Sequence, residues 1–156
     1  MSVDLSGSNG AASVENCPLC SASLRPVLAE GEHWRLVLNY NQDLLGKCFL
    51  ALRRHAESIT LLSLDEWTEL HRLIARATGA LVDAFAPDHF NYAFLQNQDR
   101  HVHLHIIPRY ASMRTSAGVS FHDPAYPGHY AVNEPALRLD EEHVAALAQL
   151  LRTRLA

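Results

Sequence analysis

The sequence lacks the features of a membrane-spanning or disulfide-stabilised protein. It contains no run of about 18 apolar residues, so no transmembrane helix is expected. Residues 1–16 have neither a basic stretch nor an apolar core, so this segment is not expected to be a secretory signal. Three cysteines are too few for a disulfide framework. Together with the lack of a secretory signal, this low number predicts a cytoplasmic protein in a reducing compartment.

Positive charge is also scarce. The chain has 13 Lys and Arg against 17 Asp and Glu, giving a formal net charge of −4, and no basic block. Nucleic-acid binding through a basic surface is therefore disfavoured, and we expect neither a nucleic-acid nor a membrane partner. The 156 residues, 48% hydrophobic, can form one substantial core. We expect a flexible tail at 1–16 and a single domain at 17–156.

The hydrophobic pattern predicts an α+β fold. The expected elements are strands at 33–39, 47–53, 90–96 and 101–109, a capped helix at 63–85 and a final helix that begins at Asp140. Short connections make the first two strands a hairpin and the last two antiparallel. This order predicts an antiparallel sheet with a long helix and a C-terminal helix on one side.

Two further segments carry structural predictions. The buried stripe of the long helix is expected to contain Trp67, Leu70, Ile74, Ala77, Leu81 and Phe85. Residues 111–135 are rich in Gly, Pro, Ser and Tyr, which is typical of a long excursion over the surface.

The most informative segment is HVHLHIIPRY at 101–110. In a strand, alternation would place His101, His103 and His105 on one face and the aliphatic residues on the other. Imidazole can act as a nucleophile, an acid or base, or a metal ligand near neutral pH. A row of histidines on a rigid strand therefore indicates a reaction site, although a solvated polar face has the same pattern.

Cys17 and Cys20 form a CxxC motif, which is half of a zinc site. The motif alone also fits a reduced pair without metal. Cys48 lies among apolar residues and is expected to be a small core residue.

The histidine segment resembles the signature of the histidine triad family of nucleotide hydrolases and transferases. The likeness extends to WRLVLNYNQDLLGKCFLALRRH, which is similar to that family's N-terminal hairpin, and to NYAFLQNQDRHVHLH, which is similar to its last strand pair. It covers roughly residues 17–109, whereas the part after Tyr110 resembles only a bacterial subset.

The resemblance implies roles for individual residues. His103 is the expected nucleophile toward the α-phosphorus of a nucleotide, and His105 is expected to contact the phosphate. Asn97 and Gln98 are expected to bind phosphate oxygens, and Asn39 to contact the ribose, although all three are also ordinary turn residues.

The resemblance also implies a structural zinc ion bound by Cys17, Cys20, His55 and His101. Without zinc, His101 would instead orient its neighbours by hydrogen bonding.

The implied substrate is a dinucleoside polyphosphate such as a diadenosine polyphosphate, cleaved by hydrolysis. A nucleoside phosphoramidase, a phosphorylase and a non-catalytic nucleotide-binding module remain alternatives. Many relatives have Pro-Gly-His where this chain has Leu45-Gly46-Lys47, so the leaving group is open.

The family is commonly homodimeric, and a homodimer is expected here. Some residues of the long loop could reach a neighbour's site, but we favour a surface position for them; they are His122, Tyr126, His129 and Tyr130.

Overall fold

The computed structural model describes residues 17–21, 23–24, 26–130 and 137–156. The elements are the strands β1 (Val27–Glu30), β2 (Trp34–Leu38) and β3 (Cys48–Leu52), the helix α1 (Leu64–Phe85), the strands β4 (His89–Ala93), β5 (His103–Arg109), β6 (Arg114–Ser116) and β7 (Val119–Phe121), and the helix α2 (Glu141–Leu155). The expected tail at 1–16 lies outside the described residues.

Five strands form one antiparallel sheet in the order β1-β2-β3-β5-β4. The predicted hairpin and the predicted antiparallel pair are therefore both present. β1 was not predicted, because four residues with one buried side chain carry too little alternation to indicate a strand. In this sheet β5 lies between β3 and β4, and β4 forms an edge.

Both helices cover one face of the sheet, as the α+β prediction required. The core between the helices and the sheet includes Val102, Leu104 and Ile106, the aliphatic residues that alternate with the histidines. Cys48 belongs to the same core and is 1% exposed, as predicted. The odd-numbered residues of β5, which include His103 and His105, lie on the opposite face of the sheet.

The long helix begins at the predicted cap. The Ser63 side chain accepts from the Glu66 backbone N–H, and the Glu66 carboxylate accepts from the Ser63 N–H. Glu66 is also paired with Arg54 at 2.6 Å, which lowers the pKa of the Glu66 carboxyl to about 2. The expected core position of Trp67 is wrong: it is 39% exposed and its ring meets Phe94 edge-on, because Glu66 occupies the buried side of the first turn, where its backbone oxygen accepts from Trp34 Nε1 of β2.

The segment after β5 is only partly the surface excursion that its composition predicted. β6 and β7 form a separate two-stranded sheet, and Phe121 at its end is buried in the main core. Asp123 is buried against Arg109, with 2.6 Å between Nε and Oδ2. This ion pair holds the following segment against β5. No helix in the described part of the chain is long and apolar enough to cross a membrane.

Candidate active site and metal cluster

His103 and His105 line a cleft of about 400 Å³ on the face of the sheet away from the helices. We call it the triad cleft; its other lining residues are Pro18, Leu19, Leu24, Asn39, Tyr40, Asn41, Lys47, Phe49, Leu95, Gln96, Asn97, Gln98, Asp99, Ile107 and Tyr130. Such a volume lies within the usual range for small-molecule sites, and the mixture of apolar walls with a few polar groups is typical of them.

A chain of hydrogen bonds fixes the protonation of the two cleft histidines. His103 Nδ1 lies 2.7 Å from the backbone oxygen of His101, and because a carbonyl only accepts, Nδ1 must carry a proton. In the neutral ring, Nε2 then has a free lone pair. It lies 3.1 Å from His105 Nε2, which must therefore donate. His103 presents a nucleophilic nitrogen and His105 a hydrogen-bond donor.

The surroundings keep His105 neutral. Burial, together with the nearby His103 and Lys47, lowers the pKa of His105 to about 4. Near pH 7 the ring is thus a neutral donor. A neutral ring needs no ion-pair partner, so His105 can donate a hydrogen bond to a phosphate oxygen without first breaking an ion pair.

Lys47 contributes a buried positive charge to the same cleft. It forms an ion pair with Asp43 and donates to the Tyr130 hydroxyl at 2.9 Å. That hydroxyl in turn donates to Asp43 at 3.1 Å. Burial lowers the pKa of Lys47 while its hydrogen bond to Asp43 opposes the shift. The three side chains, which we call the Lys47 clamp, connect the β2–β3 turn to the segment after β7.

His101 lies just before β5 and is fully buried, away from the triad cleft. Its Nε2 is 2.7 Å from the backbone oxygen of Leu52, so Nε2 carries the proton and the Nδ1 lone pair is free. Nδ1 lies 3.4 Å from the sulfurs of both Cys17 and Cys20. The imidazole is thus oriented as a metal ligand by a backbone acceptor, which is common around metal sites.

His55 completes a cluster of four ligand residues with Cys17, Cys20 and His101, whose ligand atoms all lie within 4.8 Å of one another. His55 Nδ1 is 3.5 Å from Cys20 Sγ. In a tetrahedral zinc site, sulfur and nitrogen ligands lie about 3.5 Å apart, so these separations fit zinc. Two thiols and two imidazoles also form the donor set of closed, structural zinc sites.

Without a cation the cluster is electrostatically unfavourable. Burial and the neighbouring Cys17 raise the pKa of the Cys20 thiol to about 11, which opposes the formation of two adjacent thiolates. A bound divalent cation would reverse that preference.

The three amides expected from the sequence all line the triad cleft. Asn39 is buried at the end of β2, and its side-chain oxygen accepts from the Asn41 backbone N–H at 2.9 Å. Asn97 and Gln98 are exposed at the rim. The structure therefore brings Asn39 and the rim amides to the same cleft as His103 and His105.

Sequence reasoning missed the apolar base of the cleft and the Lys47 clamp. Leu19, Val37, Phe49 and Ala51 form a small buried cluster on the cleft side of the sheet. The preference for a surface position is wrong for Tyr130, which is half-buried in the clamp, while His122 is exposed as favoured. The sequence feature that could have indicated the clamp is Lys47 itself, a lysine within the largely apolar run LLGKCFLAL.

Solved structures with the same architecture are histidine triad proteins. A hypothetical histidine triad nucleotide-binding protein from Sulfolobus tokodaii superposes with a TM-score of 0.70 at 18% identity, over 89% of this chain and 91% of that chain. A histidine triad protein from Marinobacter aquaeolei gives 0.64 at 24% identity, over 86% and 90%. A zinc-bound histidine triad family protein from Mycobacterium smegmatis gives 0.61 at 17% identity, over 91% and 94%.

No family model and no curated protein matches the sequence. At the identities of the solved structures, the likeness establishes the fold. The chain thus has the histidine triad fold, which confirms the resemblance noted in its sequence, and it combines that fold with a CxxC pair placed beside the first triad histidine.

Proposed function

We propose that the chain is a histidine triad enzyme that transfers a nucleotidyl group from a nucleotide conjugate to His103 and then to water. The observation that carries this proposal is the hydrogen-bond chain from the His101 carbonyl through His103 to His105. It leaves a lone pair on His103 Nε2 inside a cleft of suitable size.

In the proposed first step, the His103 Nε2 lone pair forms a bond to the α-phosphorus. The bond from phosphorus to the leaving group breaks, and its electron pair departs with the leaving atom. The proton stays on His103 Nδ1, and its hydrogen bond to the carbonyl of His101 stabilises the positive ring. His105, whose Nε2–H bonds to His103 Nε2 in the free protein, would release that nitrogen and donate to a phosphate oxygen instead.

In the second step, water attacks the same phosphorus and the P–N bond breaks. The electron pair returns to His103 Nε2, and one proton of the water is released while its oxygen stays on the nucleotide. The net reaction is conjugate plus water to nucleoside monophosphate plus leaving group, with the enzyme regenerated.

The nucleoside would bind between the apolar base and the amides. Leu19 and Phe49 offer apolar surface for a base, Asn39 is placed for the ribose, and Asn97 and Gln98 for phosphate oxygens. Phe49 also packs against the edge of His103, with ring centroids 6.1 Å apart, so the base and the nucleophile would share one wall.

A zinc ion on Cys17, Cys20, His55 and His101 is proposed as a structural element. When bound, it would supply cross-linking rather than chemistry, since all four positions are filled by protein. It would connect the turn at 17–20 to His101, which lies two positions before the proposed nucleophile His103. Thiol ligands need reduced cysteines, in agreement with the cytoplasmic location expected from the sequence.

The most specific substrate we propose is a dinucleoside polyphosphate. A phosphoramidate uses the same nucleophile and differs only in its leaving atom, and a phosphorylase would replace water by phosphate. Lys47 donates to Asp43 and Tyr130 among the described residues, which leaves one ammonium N–H that a further phosphate of a polyphosphate could accept from.

We also propose a homodimer formed along β4. This strand is a sheet edge, and Tyr92 and Leu95 expose apolar side chains beside it, at 48% and 44%. Light scattering should give twice the mass of the chain for the native protein and a lower mass for Tyr92→Lys; a monomeric native protein would contradict this assembly.

The decisive experiment is rapid quenching of the protein with diadenosine tetraphosphate, followed by intact-mass analysis. An adenylyl adduct should appear within the first turnover, decay with product formation, and map to His103 by peptide sequencing. Its P–N bond should be labile to acid. The His71→Ala variant, altered at an exposed position of α1, should form the same adduct.

Two outcomes would contradict the proposal. One is turnover without an adduct at any time after mixing. The other is an adduct at a different residue, which would assign the nucleophile elsewhere. Nucleotide binding without turnover of any conjugate would support the non-catalytic alternative.

A further inference from the structure

One buried nitrogen of the metal cluster has no hydrogen-bond partner among the described residues. It is Nε2 of His55, whose side chain is 8% exposed. The other ring nitrogen, Nδ1, lies on the side of the cluster, 3.5 Å from Cys20 Sγ. If Nδ1 gives its lone pair to zinc, the proton of the neutral ring must be on Nε2. A metal on this ring therefore requires a buried N–H donor on its far side.

The second imidazole of the cluster differs in this respect. His101 Nε2 lies 2.7 Å from the backbone oxygen of Leu52, so its proton already has an acceptor. Histidine ligands of metals usually donate this proton to a carbonyl or a carboxylate, which fixes the ring orientation and makes the ligand nitrogen more basic. A buried donor without an acceptor is unfavourable. His55 therefore needs an acceptor that the backbone does not provide.

A carboxylate lies close to this nitrogen. Glu57 Oε1 is 3.7 Å from His55 Nε2, about 0.7 Å beyond an ordinary hydrogen-bond length. The Glu57 side chain is 43% exposed, and its carboxylate has no other ion pair or hydrogen bond with the described residues. It can therefore rotate toward His55 without breaking an existing contact.

The backbone that carries this carboxylate is held in place. The Ala56 oxygen accepts from the Val102 backbone N–H at 2.7 Å, and the Glu57 oxygen accepts from the Gln96 side chain at 2.8 Å. Val102 lies between two of the triad histidines, and Gln96 lines the triad cleft. The segment 55–57 thus joins the metal cluster to the reactive strand and to the rim of the cleft, and only the Glu57 side chain has to move.

We propose that Glu57 is a positioning residue of the metal site: its carboxylate accepts the Nε2 proton of His55 and orients that imidazole toward zinc. This inference rests on the zinc site proposed above and adds to it a residue that does not itself bind the metal. The two imidazoles are then oriented by different groups. A backbone carbonyl orients His101, whereas a side chain that substitution can remove orients His55.

The first measurement is the zinc dissociation constant, obtained by competition with a chromophoric chelator. Glu57→Ala should weaken zinc binding about 10-fold, at the lower end of the range for loss of such a partner. Glu57→Gln should lose less affinity, because its amide oxygen still accepts the proton. Both substitutions are at an exposed position, where folding is insensitive to them. The matched control Glu141→Gln removes the same charge at an exposed position on α2 and should keep the native affinity.

A second measurement distinguishes ring orientation from a general loss of charge. Heteronuclear NMR of the zinc-loaded native protein should show slowly exchanging Nε2–H protons on both His55 and His101. Glu57→Ala should accelerate exchange of the His55 proton, because its acceptor is gone. The His101 proton, bonded to Leu52, should exchange at the native rate in every variant and is an internal control within the same cluster.

The outcomes separate this inference from the zinc site itself. Native protein that binds zinc, with the same affinity in Glu57→Ala, would overturn the role of Glu57 and leave the zinc site intact. Weaker binding with unchanged exchange of the His55 proton, or an equal loss in Glu141→Gln, would lead to the same conclusion. Native protein that binds no zinc would overturn the proposed zinc site, and this inference with it.

Discussion

The two ends of the histidine segment have the same residue type and opposite surroundings. His101 is enclosed by two thiols, a second imidazole and a backbone carbonyl. His103 and His105 face a cleft, and their hydrogen bonds leave His103 Nε2 unprotonated there, where it accepts from His105. The period-2 pattern orients His103 and His105 on β5, whereas His101 precedes the strand and lies against the thiols, so the expectation that all three share one face holds only for two of them. The closed end is suited to stability and the open end to reaction, so substitutions should separate the two.

The largest effect is expected for His103→Ala at the open end. If His103 is the nucleophile, as proposed, its removal should lower kcat for diadenosine tetraphosphate on the order of 10³-fold or more, because no covalent intermediate can form. The free energy of unfolding should fall only about 1 kcal/mol, from the lost bond to His101. Steady-state kinetics and urea unfolding measure the two quantities. Equal losses of stability in His103→Ala and in a cysteine variant would remove the distinction between the ends.

At the closed end, the double variant Cys17→Ser, Cys20→Ser should lose its metal and unfold more easily. At free zinc about 100 times the dissociation constant, binding contributes about 2.7 kcal/mol. For a domain of this size that is roughly 5–11 °C in Tm. Metal analysis and calorimetry provide the measurements. Cys48→Ala, in the core away from the cluster, is the matched control and should retain the metal; retention by the double variant as well would refute the ligand assignment.

The open end should also destabilise the fold in acid. The pKa of His105 is about 4 in the folded protein, below the ordinary value of 6.5 that the unfolded chain has. Between these values the unfolded state binds more protons, so stability falls as pH decreases from about 6.5 to 4, by up to about 3 kcal/mol. Urea unfolding at pH 7 and pH 5 should show this decrease in the native protein. His105→Gln should reduce it, and an identical decrease in that variant would assign the effect to other groups.

The smallest effect is expected at the rim of the triad cleft. Asn97→Ala removes one exposed amide from the lining, so KM should rise roughly 5-fold, the equivalent of about 1 kcal/mol, with kcat little changed. Gln149→Ala, exposed on α2 away from the cleft, should leave both constants at the native values. A change in kcat rather than KM for Asn97→Ala would place this amide in the chemical step.

The sequence predicted the parts of the fold that depend on local regularity. The alternation around Leu104 and the cap at Ser63 both reappear as expected, since period and capping are set within a few residues. β1 escaped prediction because it is short and exists through its pairing with β2. The exposure of Trp67 depends on which side of the first turn of α1 packs against Trp34 of β2, which is a tertiary property.

In the candidate site, too, the sequence predicted only part of the arrangement. The resemblance to a known family supplied His55 and His101 as ligands, 46 positions apart in the sequence, and the structure brings them together with the CxxC pair. It supplied nothing for Tyr130, whose contact with Lys47 spans 83 positions and which lies in a segment without periodic pattern after β7. Long-range contacts of loop residues are set by the folded chain rather than by local spacing.

The acceptor that sets the tautomer of His103 is the main-chain oxygen of His101. Every amino acid carries such an oxygen, so no single substitution can delete it. Substitution of side chains one at a time would therefore not reveal how this oxygen sets the tautomer of His103. What substitution can alter is where the oxygen lies. The ring of the same residue, held among Cys17, Cys20 and Leu52, helps to anchor it, together with the backbone bonds of His101 and Val102. A variant that displaces this ring should therefore mimic a defect in the nucleophile while leaving His103 itself intact.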